Sequence, residues 1–139
     1  MRSIANQKIA RVIDANFNRA KEGLRVCEDV ARFVLDDQEV TGQYKKMRHQ
    51  VSQICSLVFK GSLMDARSTQ TDVGTQSSAL EVKRKTIKDI FYANSQRVKE
   101  SVRVLEEFLK LVSPCQALAC KKMRYQVYAL EQKVFETMG

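Results

Sequence analysis

The chain is poor in everything that breaks up a polypeptide: one proline, Pro114, five glycines in 139 residues, and no tryptophan. Proline and glycine punctuate turns, so this scarcity argues for a few long helices rather than a many-stranded or disordered chain. Histidine is represented once, by His49, which argues against a catalytic imidazole. The four cysteines, Cys27, Cys55, Cys115 and Cys120, have no C-x-x-C spacing, and free thiols in a reducing cytoplasm are expected rather than a metal site or disulfides. No apolar run approaches the ~20 residues of a membrane span. No signal-peptide pattern is visible either, because Asn6, Gln7, Lys8 and Arg11 interrupt the first apolar residues. A phosphate-binding loop of the G-x-x-x-x-G-K-[ST] type, a G-x-G-x-x-G turn and an H-E-x-x-H zinc motif are all missing.

What the chain does contain is written twice. Residues 15–29 read A-N-F-N-R-A-K-E-G-L-R-V-C-E-D, and residues 93–107 read A-N-S-Q-R-V-K-E-S-V-R-V-L-E-E, with eight of fifteen positions identical against about one by chance. A second pair follows: K-K-M-R-H-Q-V at 45–51 returns as K-K-M-R-Y-Q-V at 121–127, where Tyr125 replaces His49. Ile13, Phe17, Ala20, Leu24, Cys27, Ala31 and Val34 recur at 4,3,4,3 spacing, the stripe of an amphipathic helix. Phe91, Val98, Val102, Leu105, Leu109 and Val112 repeat it, broken at Ser95. Tyr44, Met47, Val51, Ile54 and Val58 form a helix-packing seam that Cys120, Met123, Val127, Leu130 and Val134 copy. Each half is thus a helical hairpin, and the expected fold is all-α: one domain over 1–139, a four-helix bundle of two repeated hairpins. Repeat 1 covers about 4–60, with helices near 4–36 and 42–60 and a turn at Thr41-Gly42; repeat 2 covers about 86–137, with helices near 86–112 and 115–137. A long connection at about 61–85 lies between them, and its acids, Arg67 and hydroxyl run suit a ligand-closing loop better than a passive tether.

The repeat carries polar residues on its apolar side. Asn16, Arg19 and Glu22 fall within or beside the apolar sector of the first helix, and Asn94, Arg97 and Glu100 take the same places in the third. An unpaired buried amide costs ~1–3 kcal/mol and an unpaired buried charge more, so these groups need partners. Two arrangements supply them. Each Arg can pair with the Glu one turn on while each Asn bonds a neighbouring carbonyl, or the two triplets can meet near a pseudo-twofold axis and line a polar pocket for an anion. Arg48 and Arg124, at the borders of the seams, are expected to reach out to water.

The net charge of +8 calls for an anionic partner. The basic residues are spread over all helices among 16 acids, and with Arg19 and Arg97 facing inward a small anion is expected rather than nucleic acid. An inventory of Arg, Asn, Glu and Asp matches phosphoryl transfer, which asks for positioning and positive charge, with Mg²⁺ held by carboxylates. On this reading Arg19, Arg97, Arg67 and either Arg48 or Arg124 hold phosphates, Glu22, Glu100 or Asp72 serves the metal or the attacking oxygen, and Asn16 and Asn94 bond a heterocycle edge.

The runs at 11–29, 65–75, 93–107 and 123–131 together resemble the hydroxymethylpyrimidine phosphate kinase family, a small helical domain often fused ahead of thiamine-phosphate synthase. The resemblance covers nearly the whole chain and implies ATP-dependent phosphorylation of hydroxymethylpyrimidine monophosphate to the diphosphate in thiamine biosynthesis, in the cytoplasm. It matches Asn16, Arg19 and Glu22 to a first signature, Asn94, Arg97 and Glu100 to a second, Arg67 and Asp72 to the central loop and Arg124 to the last helix. The chain departs from the family at Ser68, where an acid is usual. The site expected is therefore catalytic Arg19, Glu22, Arg97, Glu100 and Asp72, substrate-binding Asn16, Asn94, Arg67 and Arg124, and Mg²⁺ on Asp72 and Glu100, with ATP as donor. A homodimer is expected from the long seams, and thiamine-phosphate synthase is an expected partner. The alternative is a non-catalytic module that binds the phosphorylated pyrimidine or assembles with that synthase.

Overall fold

A computed structural model describes residues 4–59 and 83–139. Four helices make up nearly all of them: α1 (Ile4–Asp29), α2 (Gln38–Phe59), α3 (Ile87–Leu109) and α4 (Pro114–Met138). The all-α bundle expected from the repeats is the fold observed. α1 packs most extensively on α3, each of these also packs on its hairpin partner, and α2 and α4 touch only lightly. The core is the predicted one: Ile13, Phe17, Ala20, Leu24 and Cys27 from α1, Phe91, Val98, Val102, Leu105 and Leu109 from α3, and the two seams from α2 and α4. Edge-on ring pairs stitch the helices together, Phe17 on Phe59, Tyr44 on Phe91 and Phe91 on Phe135. Such pairs add ~0.5–1.5 kcal/mol beyond the area they bury.

The ends of the helices differ from expectation. α1 runs into a π-helical turn, Val30–Val34, in which the Leu35 N–H donates to the Val30 carbonyl. A π-turn holds more residues than an α-turn, so the stripe slips out of register. Val34, expected in the core, is consequently exposed, and so is Val112 at the matching end of α3. The turn between α1 and α2 lies at Leu35–Asp37 rather than at Thr41-Gly42. Asp36 takes a left-handed backbone (φ 51°), a conformation short polar side chains tolerate. Asp37 then starts α2, its carboxylate accepting the Val40 N–H. Gly42 is an ordinary exposed residue inside α2. At the start of α3, Thr86 and Asp89 form a capping box, and the N–H groups of Lys85 and Thr86 hold the Asp89 carboxyl below its usual range.

The four cysteines are free, with Cys27 and Cys120 buried, Cys55 half-buried and Cys115 exposed. Burial, and secondarily the charge of Glu131 on Cys27 and of Glu106 on Cys120, pushes both buried thiols up to about 12. A thiol-specific reagent near pH 8 is expected to label Cys115 rapidly and to leave Cys27 and Cys120 untouched until the chain unfolds. Prompt labelling of all four would contradict this core. The same two thiols add an alkaline limit. Their folded values lie above the unfolded one near 9, so the stability they contribute is present below pH 9 and is lost as pH rises toward 12.

Candidate functional site

The site begins with how α1 meets α3. At one end Ile9 and Ile13 share a hollow with Leu111 and Val112, and near the middle Gly23 lies against Val98 and Asn94, so the two helices run antiparallel. That register lays one copy of the repeat over the other about a pseudo-twofold axis. The contact across it is explicit: the Arg97 guanidinium lies 3.7 Å from the Glu22 carboxylate. Since Arg97 meets Glu22, the same register sets Arg19 opposite Glu100.

Of the six expected residues, Glu22 and Arg97 are in contact across the repeats, while the same register leaves Asn16 and Asn94 farther out along their helices, and neither of the arrangements foreseen for them is right in full. Their meeting place is open. The Arg97 and Glu22 side chains are 51% and 67% exposed, and Arg19 and Glu100 are exposed as well, so among the described residues these groups line no water-poor hollow. Two long side chains that can hydrate gain more from water than from dehydrated charge. Asn16 alone of the six is buried. Its side-chain N–H donates to the Val12 carbonyl at 2.8 Å, and Asn94 does the same to Ile90 at 2.8 Å. Each asparagine thus donates one turn back along its own helix.

Arg124, expected at a ligand, is otherwise engaged. It makes a two-point contact with Glu106, from Nε to Oε2 and from Nη2 to Oε1 at 3.2 Å. Its guanidinium is held above its ordinary value by that hydrogen bond. Arg48 makes the matching contact to Glu28 at 3.0 Å. Neither arginine simply reaches for water; each ties the second helix of its hairpin to a buried acid on the first. Glu28 and Glu106 stand at equivalent places in the repeated string, and that identity, in a residue facing the core, was the available signal for them. A further pair in the second half joins Lys99 to Glu131 at 2.8 Å, with Tyr128 beside the Lys99 ammonium. Arg67 and Asp72 lie outside the described residues. Among the described residues no three His, Cys, Asp or Glu side chains converge to hold a metal.

No solved structure matches the chain. Sequence comparison does find relatives named thiamine-phosphate synthase. The chain is 42% identical to that of Synechocystis sp. over 132 residues, covering 94% of this chain and 37% of that protein. It is 41% identical over 129 residues to that of Nostoc punctiforme, 92% of this chain and 36% of the relative, and 43% identical over 126 residues to that of a second Nostoc, 90% and 35%. The chain thus spans little more than a third of the length of these curated relatives. They correct the expected activity: proteins that match across nine tenths of the chain carry the name of a different enzyme from a hydroxymethylpyrimidine phosphate kinase, and that assignment is withdrawn. The ThiD2 family model matches residues 11–133, taking in both repeats and the pairing of α1 with α3, and the chain belongs to the ThiD2 family.

Proposed function

We propose that this chain is a non-catalytic domain of thiamine biosynthesis, associated with thiamine-phosphate synthase, that binds a phosphorylated pyrimidine on the α1–α3 face. The association is supported by relatives of that name, of which this chain corresponds to little more than a third. The binding reading is carried by one observation, the contact of Arg97 with Glu22 across the two repeats. It gathers the guanidinium groups of Arg19 and Arg97 on one surface, with the half-buried Asn94 on the same helix as Arg97 to accept from a ring amine; Asn16 is buried and bonded to Val12. A guanidinium offers a phosphate two parallel N–H donors, and the acids opposite keep each fork aligned until the ligand displaces them.

Titration calorimetry with hydroxymethylpyrimidine monophosphate tests this. Saturable binding is expected. Arg97→Ala should weaken it at least about tenfold, because a hydrogen bond to a charged group is worth ~1.5–3 kcal/mol. With ATP added, no ADP should appear. Absence of binding by the unaltered protein, or ADP formed in step with the pyrimidine, would sink the reading.

A further inference from the structure

On the far side of the helix ring from the α1–α3 face, α2 and α4 stand apart and leave a groove that the pseudo-twofold axis crosses at Gln50 and Gln126. It holds two hollows of about 430 and 360 Å³ that meet at Gln50 and Gln126, each a volume usual for small-ligand sites, ~300–1,000 Å³. Met47 and Leu130 floor one of them, Met123 and Ile54 the other. The walls come from the second repeated string. Lys46 on α2 and its counterpart Lys122 on α4, Gln50 and its counterpart Gln126, all line the groove. Met47, Arg48 and Val51 of that string have structural reasons to recur, in the core or in the ion pair with Glu28. Lys46 is exposed and Gln50 half-buried, yet both halves keep them, and the fold sets Gln50 with Gln126 where the two hollows meet, with Lys46 in one hollow and Lys122 in the other.

The charge of the groove is one-sided. Among the described residues Lys46, Lys122 and Lys133 line it and no Asp or Glu does; Glu39 lies 3.6 Å from the Lys133 ammonium at the groove's edge. Like charges gathered along one groove repel unless an anion lies among them. Ammonium groups from both walls, over an apolar floor, suit an anion with charge at two ends better than a single phosphate, and the amides of Gln50 and Gln126 can donate to the oxygens between.

We propose that the α2–α4 groove is a second, pseudosymmetric binding site, which takes a small polyanion of the diphosphate type between Lys46 and Lys122. It does not depend on the pyrimidine reading, which uses the opposite face.

Inorganic pyrophosphate is the probe, titrated calorimetrically into the full chain at low ionic strength with orthophosphate in a parallel series. The expected result is one pyrophosphate per chain, bound at least about tenfold more tightly than orthophosphate. The double variant Lys46→Ala/Lys122→Ala should lose at least about tenfold in affinity. The double variant Lys45→Ala/Lys121→Ala removes the same charge from the same two helices outside the groove and should stay within about twofold of the unaltered protein. No binding, equal weakening in both double variants, or equal affinity for the two anions would overturn the site. Loss of pyrophosphate binding in Arg97→Ala with Lys46→Ala/Lys122→Ala unaffected would move the anion to the α1–α3 face and end the proposal as well.

Discussion

Replacing Arg124 with alanine is expected to cost about 3–5 kcal/mol of folding stability, the penalty for leaving one member of a buried ion pair without the other. The Glu106 side chain is 4% exposed, so water cannot take over when the guanidinium is removed. Arg103 approaches the same carboxylate at 3.8 Å but is half exposed and already holds Glu107 at 2.8 Å, so it offsets little. Against a total stability of about 5–15 kcal/mol, the variant should sit near the edge of folding, with a melting temperature lower by roughly 10–20 °C. Arg124→Lys should fall between, because an ammonium keeps the charge and loses the two-point fork. The decisive comparison is Arg124→Met/Glu106→Leu, which removes both charges and should recover most of the loss, since a buried pair replaced by apolar groups is often neutral or better. Urea unfolding followed by circular dichroism reads all three, provided the slope is unchanged. An Arg124→Ala midpoint within 1 kcal/mol of the original, or a double variant as weak as the single one, would show that the pair does not hold α4 to α3.

The two kinds of polar residue in the repeat explain what the sequence could reveal. Helix count, the antiparallel hairpins and most of the core followed from spacing alone, because a 3.6-residue period with apolar residues at every third or fourth position has one low-energy way to bury itself. The polar positions were harder. Asn16, Arg19 and Glu22 lie on the same side as the core by angle, but the helix wheel does not say whether a neighbour stands over them. In the fold Asn16 is covered, while Arg19 and Glu22 extend past the flank of α3 into water. Glu28 and Glu106 went unused for the opposite reason. An acid at the end of a charged string looks solvated until α2 or α4 supplies the arginine that meets it, and that partner is 20 or 18 residues away. The slip at Val34 belongs to the same class. A π-turn is a response to tertiary packing, and no residue in V-A-R-F-V announces it. The α2–α4 groove was beyond the pattern as well, since the seam periodicity that builds two helices does not fix how far apart they stand.

Gly23→Ala is expected to destabilise the fold although it inserts a better helix former into the middle of α1. A β-carbon there would lie 2.7 Å from Cγ2 of Val98 and 2.9 Å from the backbone carbonyl oxygen of Asn94. The valine methyl can rotate aside; the carbonyl belongs to α3 and cannot move unless the two helices separate. The gain in helix propensity is about 1 kcal/mol, against a strain of about 1–3 kcal/mol for overpacking a tight contact, so a net loss of up to about 2 kcal/mol follows, and Gly23→Val should scarcely fold. The counterpart in the second half is Ser101, whose hydroxyl donates back to Arg97 and Val98 carbonyls of its own helix, so close approach is needed on one side of the axis only. Gly42 provides the control. It is exposed in α2 with nothing within 4 Å of its β-position, so Gly42→Ala should stabilise by up to about 1 kcal/mol. Opposite signs for the same substitution in two helices, read from urea midpoints, would establish that α1 and α3 touch backbone to backbone at Gly23. The consequence reaches the proposed site, because pushing α1 from α3 also draws Glu22 from Arg97. Gly23→Ala should therefore weaken pyrimidine phosphate binding while leaving pyrophosphate in the α2–α4 groove unaffected. Stabilisation by both substitutions would mean that the two helices lie farther apart than the contact requires.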